Sequence, residues 1–230
     1  MTAPTAIDVA ANVATVRARI AEACTRAGRD PAEVTLVAVS KGQPIDLVRA
    51  AVEAGCVDLG ENRAQELLPK AVEASALNVR WHFIGHLQRN KVREVLPHVA
   101  ALHSLDSVDL VREIERRRRD GGAATPLPCY LEVNVAGEAQ KQGISPDALP
   151  DLLGVAQACG VIEVRGLMTV APHLGEPERV RPVFRTLRSL AQAHGLTGLS
   201  MGMTEDYPVA IEEGATVVRV GRAIFGARPG

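Results

Sequence analysis

A lysine at the end of a short apolar run is the residue of this chain best placed to do chemistry. The run is Thr35–Lys41, and Gly42 and Pro44 follow it closely. Its β-branched apolar residues predict a buried parallel strand that delivers one amine to the end of a sheet. Desolvation at such a place favours a neutral amine, which can attack an aldehyde, most often that of pyridoxal phosphate (PLP). The alternative is a structural lysine whose head reaches water.

Residues suited to binding an anion lie near the C-terminus, at the ends of two further apolar runs. Ser200 offers a hydroxyl, Gly202 permits close approach of a ligand, and Gly221-Arg222 opens a short helix. Alternation along the last strand places Arg219 and Gly221 on one face. Barrels often build a phosphate site from the loops after strands seven and eight. The alternative is a barrel-closing turn with a structural arginine pair.

The polar segment Gly60-Glu61-Asn62-Arg63 directly follows another short strand. The simple alternative to a functional role is that Glu61 is a carboxylate near a helix N-terminus and Arg63 is a surface arginine. Asn62 is either the N-cap of the following helix or a side chain beside the ring of a bound cofactor.

Eight apolar strands alternating with amphipathic stretches must position these residues. The strands are predicted at Thr35–Lys41, Val57–Gly60, Trp81–Gly85, Ala101–Leu105, Cys129–Val135, Val164–Val170, Gly198–Met203 and Val217–Val220. The helices are predicted near 44–54, 63–74, 89–97, 107–119, 146–159, 177–194 and 205–213, with an additional N-terminal helix over Asp8–Ala27.

Strict alternation of strand and helix implies parallel strands with right-handed crossovers. Eight such units fit a closed (β/α)8 TIM barrel, whose chemistry lies at the C-terminal ends of the strands. An open doubly wound sheet is the competing architecture, but no GxGxxG motif follows any strand. We expect one domain over residues 1–230, with a helical extension at 1–30 and the barrel at 35–226.

The bulk properties of the 230 residues are those of an ordinary globular protein. The net charge of −1 gives no electrostatic reason to expect nucleic acid, and no apolar run is long enough for a membrane span. The N-terminus lacks the pattern of a signal peptide, so we expect a cytoplasmic protein. The four scattered cysteines predict buried thiols, and His82 and His86 lie in a strand and a loop, where their spacing does not favour a metal site.

These segments together resemble the PLP homeostasis proteins, the YggS/PROSC family. The matching segments are Ala38–Lys41, Gly60–Glu66, Trp81–Lys91, His103–Ser107, Val133–Val135, Lys141–Gly143, Gly166–Met168, Leu199–Asp206 and Val218–Gly226. The resemblance implies a fold-type III barrel like the N-terminal domain of alanine racemase. It implies that Lys41 holds PLP as a Schiff base, and that Ser200, Gly221 and Arg222 occupy phosphate-binding positions.

The resemblance also assigns Arg219 to the position facing the pyridine nitrogen and Asn62 to a position near the ring. An arginine there keeps the nitrogen unprotonated, which weakens PLP as an electron sink. One departure is visible, because Gly42-Gln43 follow Lys41 where the family commonly has a second lysine. Any role of that second lysine is therefore in doubt here. Thr204 replaces the usual serine but keeps the hydroxyl.

Racemases supply a tyrosine acid/base from a second domain, which we do not expect in these 230 residues, whose only tyrosines are Tyr130 and Tyr207. We therefore expect a monomeric, non-catalytic PLP-binding protein that stores cofactor or delivers it to apo PLP-dependent enzymes. The alternatives are a small PLP-dependent amino-acid racemase, or a phosphate-binding barrel in which Lys41 is structural.

Overall fold

The fold is a closed barrel of eight parallel strands wrapped by helices, seen in a computed structural model that describes residues 7–138 and 140–227. The strands pair in chain order, and the last pairs with the first. They are β1 (Thr35–Val39), β2 (Asp58–Glu61), β3 (Arg80–Phe83), β4 (Ala101–Leu105), β5 (Leu127–Glu132), β6 (Ile162–Met168), β7 (Gly198–Ser200) and β8 (Val217–Val220). The predicted (β/α)8 architecture is confirmed.

Strands β4 and β8 have the predicted bounds, whereas β1, β3, β5, β6 and β7 end two or three residues earlier than predicted. Strand β1 stops at Val39, so Lys41 lies in the turn beyond it. Strand β7 stops at Ser200, although Met201 N still donates to Val217 O at 3.1 Å. Gly202, with a φ of 91°, turns the chain away from the sheet at that point. Strands β1 and β7 end where the chain bends towards the mouth of the barrel.

Nine α-helices lie in the described residues. They are α1 (Val9–Ala27), α2 (Ile45–Glu53), α3 (Ala64–Glu73), α4 (Val92–Val95), α5 (Val108–Asp120), α6 (Leu149–Ala158), α7 (Arg181–Ala193), α8 (Tyr207–Glu212) and α9 (Arg222–Phe225). The helix predicted near 89–97 is wrong as one unit, because only α4 is α-helical and short 3-10 turns flank it. Pro97 accounts for the C-terminal break, since it lacks the N–H that would continue the α-helical hydrogen bonds.

The predicted N-terminal helix is confirmed as α1. Asp8 caps it, accepting a hydrogen bond from Ala11 N at 2.9 Å, and Gly28 ends it with a φ of 64°. One stripe of α1 is buried, and the helix packs against α8 and α9. Asn12 Nδ2 donates to Ile224 O at 2.9 Å, which ties α1 to the end of the barrel.

The main apolar core lies between the outer faces of the strands and the helices. The interior of the barrel holds a small separate cluster of Val37, Val39 and Val217, against which Ile84 and Tyr130 pack. The rest of the interior that bears on the site is polar and is described below. All four cysteines are buried free thiols, as predicted. No helix in the described residues has the length and apolar character needed to span a bilayer.

Candidate cofactor site

A cavity of about 570 Å³ opens at the C-terminal end of the barrel. Four of the six predicted site residues line it, namely Lys41, Arg219, Gly221 and Arg222. The other lining residues are Val39, Gln43, Ile84, Ala171, Pro172, His173, Met203, Thr204, Glu205, Asp206, Gly226 and Ala227. The fold therefore brings the end of β1 and the end of β8 to one space, as the pairing of these two strands requires.

Lys41 lies half-buried in a turn whose backbone is held by buried charged groups. Lys70 Nζ donates to Ser40 O at 2.7 Å and to Glu61 Oε1 at 2.6 Å. Ser40 Oγ donates to the same Glu61 oxygen at 2.7 Å. Glu61 is fully buried, and burial raises the pKa of its carboxyl although hydrogen bonds from Lys70 and Ser40 oppose that effect. The residue before Lys41 is thus fixed through both its carbonyl and its side chain.

The residue after Lys41 is held as well. Gly42 N donates a short hydrogen bond to Glu66 Oε2, and that oxygen lies 3.9 Å from Lys70 Nζ. Helix α3 carries both Glu66 and Lys70, one turn apart, so a single helix face supports the turn from below. We call Glu61, Glu66 and Lys70 the charged clamp. Glu61 is the buried last residue of β2, so the alternative in which it is only a carboxylate near a helix N-terminus is wrong.

Arg219 projects into the barrel from β8, while Val218 and Val220 join the main core on the other face, as the alternation predicts. Arg219 is buried, with 4% of its surface exposed. Nη1 donates to Ser200 Oγ at 2.6 Å, and Nη2 donates to Thr169 O at 2.9 Å. Burial lowers the pKa of the Arg219 guanidinium to about 10, so the group remains a cation at neutral pH.

Gly221 and Arg222 lie where the chain passes from β8 into α9. A Cβ on Gly221 would lie 3.1 Å from Val39 O, so a side chain there would crowd β1 beside the Lys41 turn. Arg222 is exposed and its Nη2 lies 2.8 Å from Glu205 Oε1. The first N–H groups of a helix have no intrahelical partner and favour an anion. This end of the cavity suits a phosphate group.

The structure places Ser200 beneath the cavity. It is fully buried, and its hydroxyl lies between Arg219 Nη1 and His103 Nδ1, at 2.6 and 2.8 Å. Thr204, which stands where serine is usual in the family, lines the cavity with its neighbour Met203. Ser200 therefore contacts the site through Arg219, and Thr204 is the hydroxyl residue that faces the open space.

Asn62 lines a neighbouring cavity of about 430 Å³, together with Glu66 and His86. It is not the N-cap of α3, since Arg63 holds that place, and its Oδ1 is buried without a hydrogen-bond partner in the described residues. A Cβ on Gly85 would approach Asn62 O to 2.4 Å, so the two loops touch through their backbones. The predicted position of Asn62 beside a cofactor ring remains a prediction.

Neither Tyr130 nor Tyr207 lines the 570 Å³ cavity. Tyr130 is in β5, and its ring lies 4.6 Å from that of His103 inside the barrel. Tyr207 begins α8, is fully buried, and has Arg19 of α1 over its ring at 5.4 Å. His173 is the imidazole at the rim of the cavity. The described residues contain no group of three or more His, Cys, Asp or Glu side chains arranged to hold a metal ion.

The alanine racemase N-terminal domain family matches residues 11–229. A pyridoxal phosphate homeostasis protein from Pseudomonas aeruginosa is 44% identical over 222 residues, which is 96% of each chain. A protein of the same name from Aquifex aeolicus is 42% identical, with 91% of this chain and 94% of that one covered.

Solved structures agree with the barrel. PipY from Synechococcus elongatus, determined with PLP bound, superposes with a TM-score of 0.83 at 32% identity, covering 95% of this chain and all of PipY. Alanine racemase from Corynebacterium glutamicum gives a TM-score of 0.69 at 16% identity, covering 97% of this chain and 62% of the racemase, which shows the fold alone. This chain belongs to the pyridoxal phosphate homeostasis proteins, a family built on the alanine racemase N-terminal domain.

Proposed function

We propose that this protein binds PLP in the 570 Å³ cavity and holds it for PLP homeostasis without robust catalysis. One observation carries the proposal: Lys41 lines the same cavity as the buried cation Arg219 and the Gly221-Arg222 start of α9. PLP presents an aldehyde, an aromatic ring and a phosphate, and this cavity offers an amine, a buried cation and a helix start. The same grouping explains why the structural-lysine alternative is the weaker one.

Each residue has a distinct role in this proposal. The Lys41 amine condenses with the PLP aldehyde and one water leaves. Gly221 and Arg222 bind the phosphate, with Thr204 beside them, and Ser200 contributes by holding Arg219. PLP supplies an electron-withdrawing ring when bound, and an unprotonated ring nitrogen facing Arg219 withdraws electrons weakly. Holding the cofactor is the activity that such a site favours.

The proposal extends to the whole chain and its partners. We propose one domain over 1–230 that acts as a monomer in the cytoplasm and passes PLP to apo PLP-dependent enzymes. The close likeness to relatives named for PLP homeostasis supports this assignment. Acceptor enzymes would be recognised by their empty, phosphate-binding PLP sites, which compete with this cavity for one ligand.

Borohydride trapping tests the proposed site, and the chain suits the test because its only lysines are Lys41, Lys70, Lys91 and Lys141. Protein incubated with PLP should absorb in the visible, and borohydride should reduce the new C=N bond to a stable secondary amine. Peptide mapping should find the label on Lys41. Lys41→Ala should abolish the visible band, whereas Lys91→Ala should keep it, since Lys91 lines the other cavity. A colourless wild type, or label on another lysine, would refute the proposal.

A racemase remains the second candidate, because His173 at the cavity rim could serve as the second base that racemisation requires beside Lys41. Incubation of the PLP-loaded protein with L-amino acids in deuterated water separates the two functions. We expect no deuterium at Cα beyond a PLP-only control. Exchange that disappears in His173→Ala would favour the racemase instead.

A further inference from the structure

We propose that a chain of hydrogen bonds through the interior of the barrel fixes Arg219 beneath the cavity, which makes Asp58 and His103 positioning residues for the cofactor site. The inference rests on the proposed function, in which Arg219 faces the cofactor ring. Asp58 is the first residue of β2, whereas the cavity lies beyond the last residues of β1 and β8. The chain therefore connects opposite ends of the barrel.

Four consecutive hydrogen bonds form the chain. Arg219 Nη1 lies 2.6 Å from Ser200 Oγ, and Ser200 Oγ lies 2.8 Å from His103 Nδ1. His103 Nε2 lies 2.9 Å from His82 Nδ1, and His82 Nε2 lies 2.8 Å from Asp58 Oδ1. All five residues are buried, with exposures between 0 and 9%. They come from five different strands, and we call them the interior chain.

The chemistry of its two ends gives the interior chain one direction. A guanidinium can only donate, so Ser200 accepts from Arg219. His103 Nδ1 is the other hydrogen-bond partner of the Ser200 hydroxyl in the described residues, so the Ser200 O–H donates to it. Asp58 is ionised, because hydrogen bonds from His82 and Arg80 outweigh its burial and hold the pKa of its carboxyl at about 2. It therefore accepts from His82. Nδ1 of each histidine then accepts and Nε2 donates, and every donor points from the cation towards the carboxylate.

This direction excludes proton delivery to the cavity along the interior chain. Transfer would require the final acceptor, Arg219, to take a proton, and a guanidinium has no lone pair to offer. His103 is fully buried, and burial, with His82 and Arg219 nearby, holds its pKa well below the usual value, so it does not store a proton. The interior chain is therefore an electrostatic brace. Its aligned dipoles present a negative end to Arg219 and end on a full negative charge.

The remaining groups around Arg219 do not replace this brace. Thr169 O accepts from Nη2 at 2.9 Å, and the carboxyls of Glu132 on β5 and Asp206 after β7 act on Arg219 electrostatically. No hydrogen bond joins either carboxyl to the guanidinium in the described part of the chain. Directional contacts thus come from Thr169 and from Ser200, and the Ser200 hydroxyl is oriented by His103.

A role limited to stability explains the interior chain less well. TIM barrels commonly fill this space with branched apolar side chains, and replacing buried polar networks by apolar residues is often neutral or stabilising. Here the interior apolar cluster is small, and five polar side chains occupy strand positions that apolar residues would fill. Their common feature is that they lead to Arg219. A positioning role accounts for that convergence.

Two small substitutions at opposite ends test the inference in the full-length protein loaded with PLP. Ser200→Ala removes the hydroxyl that receives Arg219, and Asp58→Asn removes the distal charge with little change in shape. Thr216→Val is the matched control, since the Thr216 hydroxyl accepts from Leu199 N at 2.9 Å between β7 and β8 without joining the interior chain. The readouts are the PLP dissociation constant, the visible band between pH 5 and 9, and the thermal midpoint of the apo protein.

We expect Ser200→Ala to weaken PLP binding about tenfold, the order expected for losing a hydrogen bond to a charged group. Asp58→Asn should weaken it in the same direction by less. In both variants the Arg219 guanidinium is displaced and opposes protonation of the PLP ring nitrogen less. The pH at which the visible absorption band changes should therefore rise. Thr216→Val should lower the thermal midpoint but leave the band's pH dependence as in wild type. If both chain variants keep wild-type affinity and pH dependence, the inference is wrong, whereas a wild type without any band overturns the proposed function instead.

Histidine ¹⁵N chemical shifts test the direction of the interior chain without any variant. At pH 7 both His82 and His103 should show a protonated Nε2 and an unprotonated Nδ1. In Asp58→Asn, the His82 signals should move more than those of His98, which is not part of the interior chain. A doubly protonated His103, or a proton on its Nδ1, would overturn the directional argument.

Discussion

Replacing Lys70 by methionine should destabilise the protein strongly, because it removes the cation of the charged clamp and keeps the length of the side chain. Lys70 Nζ is the partner of Glu61 at 2.6 Å, and the Glu61 carboxyl is fully buried. Removal of one partner from a buried ion pair costs about 3–5 kcal/mol, because the other charge stays buried without compensation. In a chain of 230 residues this corresponds to a fall of about 6–20 °C in the thermal midpoint.

The effect of Lys70→Met should depend on pH with a defined sign. Burial already raises the pKa of Glu61, and loss of Lys70 removes a contribution that lowers it. An acid with a raised folded-state pKa destabilises the fold above that pKa, and the destabilisation disappears as the pH falls through it. The difference in unfolding free energy between wild type and Lys70→Met should therefore shrink from pH 8 to pH 5.

Urea unfolding of the apo proteins, followed by far-UV circular dichroism, measures this difference. Lys91→Met is the matched control, because Lys91 pairs with Glu94 at 3.1 Å in a partly exposed position where ion pairs contribute less than about 1 kcal/mol. The double variant Glu61→Gln/Lys70→Met should recover most of the loss. A cost for Lys70→Met below that of Lys91→Met, or one that stays constant with pH, would refute the account of the charged clamp.

Two further substitutions have outcomes set by local geometry and charge. Gly85→Ala places a methyl 2.4 Å from Asn62 O and should lower the free energy of urea unfolding by about 1–3 kcal/mol. The control Gly154→Ala, with open space around its Cβ, should raise it by about 0.5–1 kcal/mol. Equal effects of the two variants would contradict the close contact of the two loops. Asp58, with a pKa of about 2 against an ordinary 3.8, should contribute about 2 kcal/mol of stability above pH 4, and this contribution is lost as the pH falls towards 2. Asp58→Asn should therefore flatten the acid limb of the stability curve measured by urea midpoints. An unchanged acid limb would argue against the buried His82 contact.

The fold could be predicted because its pattern is local and repeated. Each strand is a short apolar run, and each run is separated from the next by an amphipathic stretch, so strand order and parallel pairing follow from connection lengths. The bounds of β7 could not be predicted in the same way. Its continuation to Met203 reads as one apolar run, and only the backbone turn at Gly202 shows that the strand ends at Ser200.

Site residues could be predicted where they directly follow the end of a strand. Residues that act from within the barrel could not be predicted in this way. Lys41 and Arg222 lie just beyond strands, and both line the cavity. The clamp partners Glu61 and Lys70 are nine residues apart on different elements, and sequence spacing does not show that they meet. His103 offered a usable signal, since a histidine inside an apolar strand requires a buried partner.

The charged clamp and the interior chain have a common consequence for the cavity. The clamp fixes the turn that carries Lys41 from the side of α3, and the interior chain fixes Arg219 from below. Both supports consist mostly of buried polar groups, so the turn that carries the amine and the cation lie in place before a ligand arrives. A preformed site lowers the ordering cost of binding, which increases affinity. The interior chain cannot deliver a proton to the cavity, because it ends on the Arg219 guanidinium, which has no lone pair to accept one. A site with these properties is suited to holding a cofactor. Under the proposed transfer of PLP to acceptor enzymes, release begins by disturbing one of the two supports, and the charged clamp, through the partly exposed Glu66, is the one nearer the surface.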